Sequence, residues 1–131
     1  MKLEKQICSL EYAKKLKKLG VKQKSLFWWH NREVYFEDIS DGTSTGLLSK
    51  KERENQCYSA FTVAELGEML PEFVEIVRQI TGDFRGCIYD KYSDCEECGT
   101  QHYSIIDKTL SKTEADARAK MLIYLIENKL L

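Results

Sequence analysis

The sequence predicts an α+β protein, in which an N-terminal helix and a β-hairpin precede a unit that has an antiparallel sheet covered by helices. Three observations indicate this fold class. A helical period of apolar residues closes the chain over residues 113–131. Aromatic and β-branched residues flank a short polar segment within residues 25–37, as in a hairpin. Two more strand-like runs, residues 84–92 and 102–106, precede the closing helix.

The closing helix is the clearest single element of the chain. Its apolar stripe recurs at i, i+4, i+7 and i+11, at Ala115, Ala119, Leu122 and Ile126. Thr113 is a good N-cap residue with Asp116 at the N3 position, and Ser111 with Glu114 forms a second candidate cap. The small residues at its start favour close packing on a sheet.

A first helix is predicted over residues 9–19. Ser9 can cap its start, and Gly20 suits the left-handed backbone position that follows a helix end. Its apolar positions are Leu10, Ala13, Leu16 and Leu19. Its opposite face carries Lys14, Lys15, Lys17 and Lys18. The hairpin follows, with its turn at His30, Asn31, Arg32 and Glu33.

The middle of the chain contains one weak region and one strong helix signal. Residues 38–57 are rich in loop-forming and charged residues and form a predicted polar connection. A second helix is predicted over residues 62–70, because Thr62 and Glu65 make a capping box and Pro71 ends the pattern. Residues 73–80 give conflicting signals, since their apolar period favours a helix while their β-branched side chains favour a strand.

Composition and charge limit the classes of protein to which the chain can belong. A chain of 131 residues predicts one domain, and 43% hydrophobic with 31% charged residues predicts a soluble core-forming protein. No apolar run approaches the roughly 18 residues of a membrane span, and no signal-peptide pattern opens the chain, so a cytoplasmic protein is expected. The net charge of −1 divides into +6 over residues 1–24 and −7 over residues 25–131.

The five cysteines suggest reduced thiols or a metal site rather than a disulfide framework. Cys95 and Cys98 form a Cys-x-x-Cys-Gly sequence, which can present two thiolates to a tetrahedral zinc. His102 and Cys87 are the candidates for the other two ligands. Since no second Cys-x-x-Cys is present, a hairpin tip with free thiols is the simpler alternative. No other cofactor is expected.

The basic N-terminal segment, residues 9–30, resembles the opening of a helix-turn-helix, with a Leu-Gly-Val turn between two helices. In that arrangement Lys22, Gln23, Lys24 and Ser25 would face a DNA groove. The candidate nucleic-acid-binding residues are Lys14, Lys18, Lys22 and Lys24. The pattern departs from the family at Leu16, where a small residue is usual. A solvated helix face is the plainer alternative for the same lysines.

Catalysis finds little support in the sequence. His30 and His102 have no nucleophile or carboxylate at a family spacing, and the seven glycines are scattered singly, without a phosphate loop. The sequence therefore predicts a non-enzymatic protein. Its partner would be a protein or a nucleic acid, and not a membrane.

Three stretches together resemble small uncharacterised proteins of phages and prophages. They are residues 8–29, residues 59–71 (SAFTVAELGEMLP) and residues 113–128 (TEADARAKMLIYLIEN). The second half also resembles the phage α-β-β-β-α sandwich domain, which implies a strand over residues 73–80. On this resemblance residues 1–131 form one protein, with a helix and hairpin unit at 1–37, a connection at 38–57 and an α-β-β-β-α unit at 58–131. The resemblance indicates an origin and carries no known activity. The expected role is that of a non-enzymatic phage or prophage accessory protein that binds another macromolecule.

Overall fold

The structure, a computed structural model, describes residues 2–36, 57–94 and 101–131. Within these ranges a short 3-10 helix (Leu3–Lys5) precedes three α-helices and six strands. The helices are α1 (Leu10–Lys18), α2 (Val63–Met69) and α3 (Glu114–Glu127). The strands are β1 (Phe27–His30), β2 (Glu33–Phe36), β3 (Tyr58–Ser59), β4 (Val74–Arg78), β5 (Phe84–Asp94) and β6 (Gln101–Ser111). This arrangement confirms the predicted α+β class.

The N-terminal helix and hairpin form as the sequence predicts. Gly20 follows α1 with a φ of +89°, a conformation that costs glycine no steric strain. Antiparallel β1 and β2 pair from Phe27 with Phe36 to His30 with Glu33. Asn31 and Arg32 connect them with φ values of 48° and 64°, so both central turn residues are left-handed, as in the hairpin turns that match strand twist.

The first sheet has the order β2-β1-β3. Its third strand, β3, pairs antiparallel with β1 and places Tyr58 beside Trp29. The indole nitrogen of Trp29 donates to the carbonyl of Cys8 at 3.0 Å, while the ring packs against the core. The sheet therefore joins a strand from the start of the second predicted unit to the hairpin of the first.

Helix α2 begins with the predicted capping box. The hydroxyl of Thr62 accepts from the Glu65 backbone N–H at 3.1 Å, and the Glu65 carboxylate accepts from the Thr62 N–H at 3.1 Å. Two backbone donors that the helix leaves unpaired are thereby satisfied. The helix ends at Met69, ahead of Pro71.

The second sheet is an antiparallel meander of order β4-β5-β6. Residues 74–78 form a strand, as the phage-domain resemblance implies and against the helical period of the apolar residues. Val74 and Ile76 lie opposite Ile88 and Gly86 on β5. Cross-strand packing of β-branched side chains thus decides between the two periods.

Helix α3 closes the fold. It packs on the second sheet and against α1 and α2, and its buried side chains include Ala115, Ala119, Leu122 and Ile123. At its start the Thr113 hydroxyl accepts from the Asp116 N–H at 3.2 Å, as the first predicted cap requires. The Asp116 carboxylate also accepts from the Ser9 N–H at 2.7 Å, which joins the start of α3 to the start of α1.

Candidate functional site on a lysine-rich surface

The candidate site begins with the two faces of α1. Ala13 and Leu16 are fully buried against the core, because they lie on one side of the helical period. Lys14 and Lys18, one turn apart, are exposed on the other side. The same spacing that buries the apolar face therefore places the lysines together in solvent.

Tyr58 lies beside these lysines, because β3 packs against α1. The ammonium nitrogens of Lys14 and Lys17 are 5.7 Å and 5.0 Å from the centre of the Tyr58 ring. The ammonium of Lys17 also donates to the carbonyl of Cys57 at 2.9 Å. Cation–π attraction and this hydrogen bond fix the positions of two long side chains that would otherwise move freely.

The segment after α1 carries two more exposed lysines. The Gln23 side chain donates to the carbonyl of Val21 at 3.0 Å and accepts from the Ser59 N–H at 2.8 Å, so it points inward. Its neighbours Lys22 and Lys24 are exposed. We call Lys14, Lys18, Lys22 and Lys24 the basic surface. The structure places all four predicted nucleic-acid-binding residues in solvent. Sequence reasoning missed Tyr58, whose ring lies beside Lys14.

The helix-turn-helix geometry is wrong for this chain. Gly20 does end a helix, but residues 21–25 have no regular secondary structure, and residues 27–30 form β1 where a recognition helix would be needed. The aromatic residues of this segment belong to β1, which pairs with β2 on one side and with β3 on the other. The basic surface is therefore built from a helix face and an extended segment.

The lysines of the basic surface form no close ion pairs among the described residues, although Lys24 shares a cleft with Glu65 and Glu68 of α2. Lys15, on the same helix, forms an ion pair with Glu127 at 3.1 Å and is thus partly neutralised. In the described part of the chain, none of the four lysines of the basic surface has its ammonium within 4.0 Å of a carboxylate. Four positive charges therefore face solvent on a protein whose remaining sequence is acidic.

The structure describes only some of the predicted zinc ligands. Cys95 and Cys98 lie outside the described residues, and only the backbone of His102 is described, as part of β6. Cys87 lies on β5, opposite Glu75 and Ile105. Cys87 pairs with Ile105 and Asp94 pairs with Gln101, four residue steps further along β6, so the two positions lie about 13 Å apart at roughly 3.3 Å per residue. Thiolates that share one zinc lie far closer than that, so the geometry does not bring Cys87 to a site beside Asp94.

Burial lowers the chemical reactivity of two of the described cysteines, Cys8 and Cys87. Burial raises the pKa of the Cys8 thiol to about 12. Burial also raises the pKa of Cys87, with a smaller contribution from the negative charge of Glu75. Since the thiolate is the nucleophile, burial makes these two thiols poor nucleophiles near neutral pH. No group of three or more metal-binding side chains occurs among the side chains that the structure describes.

A cleft of about 720 Å³ lies where α2 meets α3. Gly67 and Arg118 line it, and the guanidinium of Arg118 donates to the Glu114 carboxylate at 2.6 Å. Sequence reasoning did not find this cleft, since its walls come from elements far apart in the chain. The cation that lines it is paired with a neighbouring carboxylate.

No protein-family model, curated protein or solved structure matches this chain. None of the described helices is long and apolar enough to cross a membrane. The fold and the site together define an α+β protein with two three-stranded antiparallel sheets and a lysine-rich surface on its first helix.

Proposed function

We propose that the protein is a non-enzymatic macromolecule-binding protein whose basic surface binds nucleic acid. The observation that carries this proposal is the concentration of four exposed lysines on α1 and residues 22–24 of a chain whose remaining sequence is acidic. The resemblance of three stretches to phage and prophage proteins supports an accessory role in a bacteriophage, in the bacterial cytoplasm.

Physical chemistry favours nucleic acid as the ligand of this surface. Lysines that contact phosphates release condensed counterions, and this entropy drives binding. The acidic remainder of the chain repels phosphates, so the basic surface is the face that approaches a polyanion. Four phosphate contacts correspond to a slope of about −3.6 in a plot of log K against log salt for duplex DNA.

The test is binding of a fluorescently labelled DNA duplex, followed by anisotropy over a series of salt concentrations. The wild type is compared with a variant in which Lys14, Lys18, Lys22 and Lys24 are all replaced by Gln. Lys112→Gln is the matched control, because Lys112 is an exposed lysine at the N-terminal end of α3, away from the last turn of α1. Thermal melts check that each variant is folded.

We expect wild-type binding with a slope of about −3 to −4, near-complete loss in the fourfold variant, and little change in Lys112→Gln. Binding that depends weakly on salt, or that survives in the fourfold variant, would contradict the proposal. Such a result would favour a protein partner, whose interface depends less on counterion release.

A zinc-stabilised interaction module is the second candidate, and one observation favours it. Asp94 and Gln101 are partners across β5 and β6, so the ends of the segment that carries Cys95 and Cys98 are held together. His102 is the next residue of β6. A zinc at this end of the hairpin would use Cys95, Cys98 and His102, with a fourth ligand other than Cys87.

Elemental analysis of purified protein and thermal melts with and without a chelator test this candidate. About one zinc per chain and a large loss of melting temperature on chelation are expected if metal binding contributes to folding. The substitutions Cys95→Ser and Cys98→Ser should abolish metal binding, whereas the matched control Cys87→Ser should retain it. Absence of metal from the wild type would reject zinc.

A further inference from the structure

The uncharged polar side chains of residues 22–25, which could read bases, are engaged inside the protein. Base readout uses side chains with free donors and acceptors at the groove, most often Arg or Lys on guanine and Asn or Gln on adenine. Gln23 uses its amide nitrogen on the carbonyl of Val21 and its amide oxygen on the N–H of Ser59. Both ends of this side chain are therefore committed to holding residues 21–25 against β3.

Ser25 is committed in the same way. It is 5% exposed, and its hydroxyl donates to the Glu65 carboxylate at 2.9 Å and accepts from the Phe27 N–H at 3.2 Å. Glu65 is itself held by the capping box at Thr62. A hydroxyl in this network cannot turn toward a DNA groove without leaving a carboxylate and a backbone N–H unpaired.

Tyr58 does not supply a stacking platform on this side either. Proteins that hold single strands stack bases on the faces of aromatic rings. The face of Tyr58 toward α1 is covered by the ammonium groups of Lys14 and Lys17. A base could stack there only by displacing both cations from the ring.

Among the polar side chains of residues 22–25 only the two lysines remain exposed. A lysine ammonium can donate to guanine, but it is a point charge that suits phosphate and lacks the planar fork of arginine. Resting on the proposed function, we propose that the basic surface binds the phosphate backbone of duplex DNA without regard to base sequence. Duplex is favoured over single-stranded DNA, because it carries one charge per roughly 1.7 Å of axis and needs no stacking.

The full chain is titrated into three labelled DNA duplexes of equal length and unrelated sequence, and into one strand of the first duplex, at the same salt concentration. Anisotropy gives each Kd. We expect the three duplexes to agree within about threefold and the single strand to bind several-fold more weakly, given its lower charge density.

The outcomes separate this inference from the proposed function. A preference of tenfold or more for one duplex, or tighter binding of the single strand, overturns the inference while the nucleic-acid function stands. Failure to bind any of the four probes overturns the proposed function itself. A Gln23→Met variant, which keeps the side-chain length but removes its polar atoms, should leave the ratios among the duplexes unchanged. A changed ratio would show that Gln23 reads bases.

Discussion

At the scale of single residues, Gly67 shows how one position can combine two opposing effects. It lies inside α2, where glycine costs about 1 kcal/mol relative to alanine. A Cβ at this position would lie 2.5 Å from Nη1 of Arg118. Arg118 is held there by two hydrogen bonds to the Glu114 carboxylate, at 3.0 Å and 2.6 Å.

We therefore expect Gly67→Ala to stabilise the protein by about 1 kcal/mol when Arg118 is also replaced by Ala, because helix propensity is then unopposed. In the wild-type background the gain should be smaller, since Arg118 must leave a pair worth about 0.5 kcal/mol. Urea denaturation of the four proteins of this double-mutant cycle gives both values. Equal effects of Gly67→Ala in both backgrounds would show that Arg118 does not restrict the position.

The buried Cys8 thiol makes stability depend on pH in the alkaline range. Its pKa is raised to about 12 chiefly by burial, from an ordinary value near 9. Between these values the unfolded chain loses the proton that the folded chain keeps, so stability falls as pH rises. Below about pH 9 the contribution of this group is fully present.

We expect the free energy of unfolding to fall by about 1.4 kcal/mol between pH 8 and pH 10, because one pKa unit corresponds to about 1.36 kcal/mol. Urea denaturation of the wild type and of Cys8→Ala at both pH values measures it. Because other groups titrate equally in both proteins, the difference between them isolates Cys8. If the wild type and Cys8→Ala lose the same stability, the thiol is not the cause.

At the scale of elements, the helix starts differ in how they are capped. Thr62 makes a complete capping box at α2. Ser9 occupies the N-cap position of α1, but its hydroxyl is buried and has no partner among the described residues. Instead, the backbone N–H of Ser9 donates to the Asp116 carboxylate, which connects the start of α1 to α3. Tertiary contact thus replaces a local cap.

We expect Thr62→Ala to destabilise the protein by about 1 kcal/mol, because it removes a cap hydrogen bond. Ser9→Ala should be nearly neutral or stabilising, since it removes a buried hydroxyl that has no partner. Thermal or urea unfolding of the two variants compares them directly. Similar losses in both would mean that the Ser9 hydroxyl has a partner in solution.

At the scale of the whole molecule, α3 connects the parts of the fold. It contacts α1, α2 and the second sheet, and α1 in turn contacts β3 of the first sheet. The core cluster around Leu122 includes buried residues from α1 and α2, with Trp29 and Tyr58 packed against it. Helix α3 therefore links the second sheet to the core cluster that packs against the first sheet.

Leu122→Ala should cost about 2–5 kcal/mol, because it leaves a cavity that the core can only partly close. Leu130→Ala is the matched control, since Leu130 is 47% exposed, and it should change stability little. Tryptophan fluorescence and far-UV circular dichroism should report one coincident transition in each variant. Separate transitions by the two probes would show that the sheets unfold independently.

The local elements follow from short stretches of sequence. The cap at Thr113, the box at Thr62 and the glycine after α1 are interactions within four residues, so sequence spacing is enough to predict them. The lysines of α1 also follow from spacing, because a helix that buries Ala13 and Leu16 must expose its other face. Two segments keep alternative predictions: residues 74–78, as a helix or a strand, and residues 27–30, as a hairpin strand or part of a recognition helix.

Tertiary structure decided what local sequence left open. Residues 74–78 are a strand because β5 lies beside them, and the helical period alone pointed the other way. The second helix of a helix-turn-helix is absent because residues 27–30 pair with two strands, one of them about thirty residues away. The inward turn of Gln23 and the position of Tyr58 under two lysines depend on the same long-range pairing. Sequence by itself thus determined the fold class, the caps at Thr62 and Thr113 and the exposed lysines of α1, since these follow from local sequence patterns. The shape of the surface that those lysines form was decided by contacts between segments far apart in the sequence.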